Sequence, residues 1–351
     1  MKSSPLKLRF CNGTLWSEGE GKRHPPTVCE LPTDAEASSC VLRTSRDMLA
    51  DTSAYMRINR GSRAMADLRC FYIIRKNVLE FLGYCCHHGL TMKITFLGTG
   101  TSQGVPMIGC DCPVCVSDDP RNERFRTHIH VEMGGMNIQV DAAPEFRLQA
   151  IRHSIPKVDL IMLTHGHADH ILGFDDMRRY CDMREGEAIP VYSNEEGLER
   201  LKLIFPYAIC DRPVVKGYPA FSARLAPSVL EFEGGTIRTV VQSHGNFDTL
   251  GLVFEERESG RKFAYYTDCD SVKPEARALA AGADLLVVDG LRPMTHPSHM
   301  SIKEAIEASL DIGADRSLLI HMTHHVDHAE TEATFPESVG LAYDNLVIEL
   351  D

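Results

Sequence analysis

The chain has 351 residues, enough to bury one large core or two smaller ones, and holds 49 Asp and Glu against 37 Lys and Arg, a formal net charge of −12. The excess is uneven: residues 1–91 carry 13 basic against 9 acidic side chains, and residues 92–351 carry 24 against 40, a balance of −16. So acidic a body argues against nucleic acid as a partner, which needs a basic footprint, and no apolar run approaches the ~20 residues that span a bilayer. The twelve cysteines are irregularly spaced, and no charged n-region followed by an apolar h-region opens the chain. A secreted disulfide framework is therefore not expected, and a reducing cytoplasm is.

Residues 1–91 show little periodicity. Only Met65 to Leu82 places apolar residues at helical spacing. Cys11, Cys29, Cys40, Cys70, Cys85 and Cys86 are scattered here. Cys85-Cys86-His87-His88 is not read as a metal site, because adjacent ligands seldom hold one ion together. This region is expected to be an N-terminal extension, largely disordered or poorly packed, with a small docking segment as the alternative. Met92 could serve as a natural start, and residues 92–351 read as one domain.

In that domain strands and helices alternate. The pattern predicts strands at Lys93–Phe96, Asn137–Val140, Leu160–Leu163, Pro190–Tyr192, Thr236–Val241, Leu250–Phe254, Phe263–Tyr266, Leu285–Val288, Ser317–Ile320 and Leu346–Leu350. Helices are expected at Glu195–Phe205, Lys273–Ala281 and Ile302–Asp311, the last opened by a capping box of Ser301 and Glu304. This mixture fits a layered α/β fold.

Chemistry concentrates after the third strand. Leu160 to Leu163 is apolar, and the next residues bring His165, His167, Asp169 and His170 into six positions. Imidazole nitrogen and carboxylate oxygen suit zinc and similar cations. Four such side chains exceed what one ion with an open position needs, so the spacing raises two ions sharing a water. A polar loop capping the next helix is the plainer alternative. Later strands end in His244, Asp268 and His321, where a rigid element can hold a ligand at the sheet edge.

The His-x-His-x-Asp-His pattern resembles the signature of the metallo-β-lactamase superfamily, which implies an αββα four-layer sandwich. By that resemblance His165, His167 and His244 bind one divalent ion, Asp169, His170 and His321 a second, and Asp268 bridges them. A water shared by such ions loses its proton near neutral pH, giving a bridging hydroxide as nucleophile. Asp141, at the end of Ile138–Asp141, falls where relatives carry an aspartate that orients the histidine turn.

Gly109-Cys-Asp-Cys-Pro-Val-Cys115 adds three thiolates, Cys110, Cys112 and Cys115. C-x-C-x2-C can wrap a tetrahedral zinc ion given one further ligand, and His324, three residues past His321, offers it. A closed structural zinc there would staple two loops together. With the Gly-Thr-Gly-Thr turn at 98–101, this set is similar to the subfamily of the phosphoribosyl cyclic phosphate phosphodiesterase of the carbon–phosphorus lyase pathway, itself related to ribonuclease Z. The resemblance spans 92–351 and none of 1–91.

It implies a small cyclic phosphate or related phosphodiester as substrate and a role near the substrate phosphate for His299, with His296 competing; the ligand set itself accepts zinc or manganese, with iron also open. Asp169 and His299 are the residues it marks as catalytic. Arg178 and Arg179 could meet an anionic substrate, although an exposed basic pair is the simpler reading. No long basic arm of the kind ribonuclease Z uses to grip tRNA is visible. An oxidoreductase similar to the pyrroloquinoline-quinone biosynthesis protein, a tRNA 3′-processing endonuclease and a non-catalytic metal-binding protein remain as alternatives. No membrane partner is expected, and a homodimer is left open.

Overall fold

The structure, a computed structural model, describes residues 92–351 apart from Val214, and two short strands nearer the N-terminus, Lys7–Cys11 (β1) and Thr14–Glu18 (β2). These two pair antiparallel as a hairpin. The segment Met65–Leu82, the Cys85–His88 run and most of the expected N-terminal extension lie outside the described residues.

From Met92 the chain builds two seven-stranded sheets. The first contains β3 (Met92–Gly98), β4 (His128–Met133), β5 (Met136–Val140), β6 (Leu160–Met162), β7 (Ile189–Ser193) and β8 (Phe221–Leu225). The second contains β9 (Val229–Phe232), β10 (Gly235–His244), β11 (Phe247–Glu256), β12 (Lys262–Tyr266), β13 (Leu285–Asp289), β14 (Arg316–Ile320) and β15 (Val339–Leu341). The last strand, β16 (Val347–Leu350), returns to the first sheet and pairs antiparallel with β3. Their spatial orders are β16-β3-β4-β5-β6-β7-β8 and β15-β14-β13-β12-β11-β10-β9.

Strand alternation decides what each face covers. In β12, Phe263 and Tyr265 face the cluster between the sheets, with Ile94, Val131, Ile138, Leu252 and Phe254. Ala264 and Tyr266 face the opposite side. There Ala276 and Ala280 of α5 (Pro274–Ala280) and Ala305 and Ala308 of α6 (Ile302–Ile312) cover them. On the outer face of the first sheet, Phe146 of α1 (Phe146–Arg152), Tyr180 of α3 (Arg178–Met183) and Leu201 of α4 (Glu195–Ile204) pack on Ile161, Val191 and Phe221. A short helix, α2 (Ala168–Ile171), follows the histidine turn, and α7 (His328–Glu332) lies near the C-terminus. The result is the helix–sheet–sheet–helix order that the resemblance implied.

Within residues 92–351, four strands carry no clear sequence signal. β4 is hidden because its buried polar residues read as surface: His130 lies 3.1 Å from Gln139 Oε1 and 3.3 Å from Asn137 Oδ1 on the neighbouring strand. β8 and β9 are partly exposed, and β15 is three residues long. The capping box at Ser301 and Glu304 is present, and α6 stops at Gly313 with a left-handed φ of 69°. Among the described residues no helix is long and apolar enough to cross a membrane.

Candidate metal centre

The site sits where both sheets end. Asp141 follows β5, the histidine turn follows β6, His244 closes β10, Asp268 lies two residues past β12, and His321 lies one past β14. Asp141, Asp268 and His321 each adopt positive φ, at 56°, 52° and 67°. Non-glycine residues enter this region at a cost of roughly 1–3 kcal/mol each. Three of them at strand ends around one point indicate that the turns are held for the sake of the side chains they aim. Gly166 is required for another reason: a Cβ there would meet Arg200 Cβ at 2.6 Å, so α4 lies directly against the histidine turn.

Two ligand clusters result. His165, His167 and His244 form one, and Asp169, His170, Asp268 and His321 form the other, with potential ligand atoms within 4.8 Å of one another in each. Asp268 reaches both: its Oδ1 lies 4.0 Å from His165 Nε2 and 3.2 Å from His321 Nε2, and its Oδ2 lies 3.3 Å from His170 Nε2. Asp169 Oδ2 is 3.4 Å from His170 Nε2 and 3.6 Å from His321 Nε2. All seven residues named from the sequence are therefore gathered at one point.

The polar atoms fit a cation. Among the described residues, His165 Nε2, His170 Nε2 and both ring nitrogens of His321 are buried without a hydrogen-bond partner. His244 Nε2 faces His167 Nδ1 at 3.3 Å. Buried polar atoms left unpaired cost about 1–3 kcal/mol each, and bound cations would satisfy the three Nε2 atoms, all of which face Asp268; His321 Nδ1, across the ring, is not among them.

Outer contacts fix the rings. Asp141 accepts from the Thr164 backbone N–H at 2.7 Å and from the Thr164 hydroxyl at 2.8 Å, and its Oδ2 lies 2.7 Å from His170 Nδ1. His170 donates from Nδ1 to this carboxylate, which turns Nε2 into the site. His244 does the same through the Ser298 carbonyl at 2.8 Å. Burial holds the His165 imidazole well below its ordinary pKa range, which keeps it neutral and able to ligate.

His299 lies beside the clusters, its ring stacked on His321 at 4.8 Å and edge-on to His244 at 4.6 Å. Asp289 Oδ2, fully buried at the end of β13, lies 2.6 Å from His299 Nδ1. Burial opposes charge on this ring, but Asp289 outweighs it and raises the imidazole to about 9. The sequence reading missed Asp289. Yet Leu285–Asp289 is an apolar strand ending in a carboxylate, the same signal that pointed to His244 and Asp268. His296 sits farther out, 5.1 Å from the His299 ring. Arg178 is occupied elsewhere: it pairs with Asp175 and donates to the Gly217 carbonyl at 3.2 Å, while Arg179 is exposed.

The cysteine cluster forms as a separate group. His324 Nδ1 lies 3.3, 3.4 and 3.7 Å from the Sγ atoms of Cys110, Cys112 and Cys115. A backbone hydrogen bond from Cys115 lowers the Cys112 thiol to about 6, while burial pushes Cys115 up to about 11. Arg124, a fully buried arginine absent from the sequence reading, locks the two loops together. Its backbone exchanges hydrogen bonds with Val105 at 2.7 and 2.8 Å. Its guanidinium donates to the carbonyls of Thr323 at 3.2 Å and Val326 at 2.8 Å.

Comparison with known proteins places this geometry. A profile of the Beta-lactamase superfamily domain matches residues 136–322. A Porphyromonas gingivalis protein named octanoyltransferase is 33% identical over 265 residues, 74% of this chain and 52% of that protein, so the chain spans about half the length of this relative. A crystal structure described as a new diphosphatase from the PhnP family superposes with a TM-score of 0.67 at 34% identity, covering 74% of this chain and 98% of that one. The Zn(2+)-bound PqqB of Methylobacterium extorquens shares the fold alone, at a TM-score of 0.60 and 19% identity over 74% of this chain and all of that one. The profile spans more than half of the 351 residues, and the chain belongs to the β-lactamase superfamily, with the metallo-β-lactamase fold.

Proposed function

We propose that the chain is a two-metal hydrolase of small phosphodiesters. The observation that carries this reading is the pair of ligand clusters joined by Asp268, with His299 beside them on a carboxylate of its own. Similarity to the PhnP-family diphosphatase supports a phosphoryl centre over other esters. The −16 balance of residues 92–351 favours a small substrate over a polynucleotide.

His165, His167 and His244 would hold one divalent ion, and Asp169, His170 and His321 the other, with Asp268 between. Zinc and manganese both suit this nitrogen and oxygen set. When bound, such ions supply Lewis acidity toward phosphoryl oxygens and lower the pKa of a water toward ~7. The chain's own residues supply the rest. Asp141 fixes the His170 ring. Asp289 holds His299 through Nδ1, leaving Nε2 as the atom that delivers a proton to the leaving oxygen or donates to the charge developing on phosphorus. The thiolates of Cys110, Cys112 and Cys115 with His324 would close a structural zinc site with no open position. Free thiols at Cys181, Cys210 and Cys269 fit a reducing cytoplasm.

A panel of bis(p-nitrophenyl) phosphate, cyclic phosphodiesters, an octanoyl thioester and a β-lactam, offered to the metal-loaded full chain, tests this reading. Turnover of the phosphodiesters alone is expected, falling to background in His167→Ala. Turnover confined to the thioester or the lactam would overturn it.

A further inference from the structure

Beside His167 the site opens into a small, partly open cleft, walled by Asn194 at the N-cap of α4, by Glu196 and Arg200 of that helix, and by Phe247 from the β10–β11 hairpin. We propose that this cleft seats a planar aromatic or heteroaromatic group carried on the substrate phosphorus, with Phe247 as its stacking platform. The proposal rests on the phosphodiester reading and narrows it, from any small diester to one that bears a ring.

Phe247 is 43% exposed beside the polar centre. Its ring stands edge-to-face with His167, centroids 5.2 Å apart and planes at 77°. Despite that contact the ring stays partly exposed and lines the cleft.

The hairpin tip that carries Phe247 is pinned on both sides. Asn194 Nδ2 donates to the Asp248 carbonyl at 2.8 Å. On the other side Asp270 Oδ2 accepts from the Ser243 hydroxyl at 2.7 Å and from the Gly245 N–H at 3.2 Å. Gly245 turns the chain with φ 65°. A platform fixed in this way loses little freedom when a ligand arrives, which is where preorganised sites gain affinity.

The opposite wall is equally fixed, because α4 touches the histidine turn at Gly166 through Arg200. Arg200 is exposed at the cleft. A guanidinium is planar and stacks on aromatic faces, so Phe247 and Arg200 suit the two faces or the edge of a flat group. Glu196 offers an acceptor for a ring N–H. An aliphatic substituent would use the apolar surface of Phe247 but not its π face, and this difference makes the proposal testable.

The experiment measures dissociation constants by titration calorimetry on the metal-loaded full chain, with phenyl, cyclohexyl and methyl phosphate as probes. Wild type should bind phenyl phosphate about tenfold more tightly than methyl phosphate, the order expected of one aromatic contact, and several-fold more tightly than cyclohexyl phosphate. Phe247→Leu, which keeps apolar bulk without a ring, should erase the phenyl-over-cyclohexyl preference, and Phe247→Tyr should keep it. Equal binding of phenyl and cyclohexyl phosphate by wild type, or a preference untouched in Phe247→Leu, overturns the ring subsite. Turnover of bis(p-nitrophenyl) phosphate, measured separately, reports on the phosphodiester reading itself, so the two can fail independently.

Discussion

Two aspartates do comparable work at different points of the centre. Asp141 reaches His170 at 2.7 Å and Asp289 reaches His299 at 2.6 Å, each through the ring nitrogen turned away from the ligand clusters. The account gives them separable roles. Asp141→Asn should lower metal affinity or activity by roughly 10–100-fold, as loss of an outer partner does. Asp289→Asn should retain the metals while kcat falls by about 10²–10⁴, the usual share of a positioned proton donor. Metal analysis beside steady-state kinetics checks both, and metal loss in Asp289→Asn would place His299 among the ligands instead. Most of this centre was legible in the sequence because ligands must be His, Asp or Cys, and because apolar strands that end in such residues stand out. Asp289 carries the same mark and was overlooked. Phe247 carries none, since an exposed phenylalanine is distinguished only by what lies next to it.

Among the elements, strands with unbroken apolar runs, such as Phe263–Tyr266 and Leu285–Val288, were legible from sequence, and they lie inside the second sheet. β4 escaped notice because cross-strand hydrogen bonds, invisible in a linear reading, compensate its buried His130. Loops resist sequence reading most. Nothing in the spacing of Arg124 announces that it clamps the Val105 segment to the Thr323–Val326 segment, yet this is what sets Cys110, Cys112 and Cys115 around His324. If that cluster closes a zinc site, Cys112→Ser should lower the metal content by one equivalent per chain and lower Tm, while phosphodiester turnover persists at reduced kcat. Unchanged metal content in that variant would contradict the closed site.

At the scale of the molecule, stability and site share the same sheet ends. Asp344 joins them: it accepts from the Thr99 hydroxyl at 2.6 Å, just past β3, and from the Phe125 N–H at 2.7 Å. Burial raises its carboxyl to about 7, against the pull of both hydrogen bonds. Between pH ~4 and ~7 the unfolded chain has released this proton and the folded chain still holds it, so folding weakens as pH rises through that window. Asp344→Asn cannot ionise. Its Tm relative to wild type should therefore climb from pH 4 to pH 7 and level off above, and a flat difference would show that Asp344 titrates normally. The two-sheet order itself was legible once the histidine signature suggested the superfamily; composition and periodicity alone supported only a layered α/β fold.

The central claim is that two clusters joined by Asp268 form one hydrolytic centre for phosphodiesters. Hydrolysis of bis(p-nitrophenyl) phosphate by metal-loaded full chain, compared between wild type and an Asp268→Ala variant of unchanged circular dichroism, tests it most directly. The account predicts steady turnover by wild type and a rate at background for the variant. Equal rates for the two proteins, or no turnover by wild type with its metals bound, would contradict it.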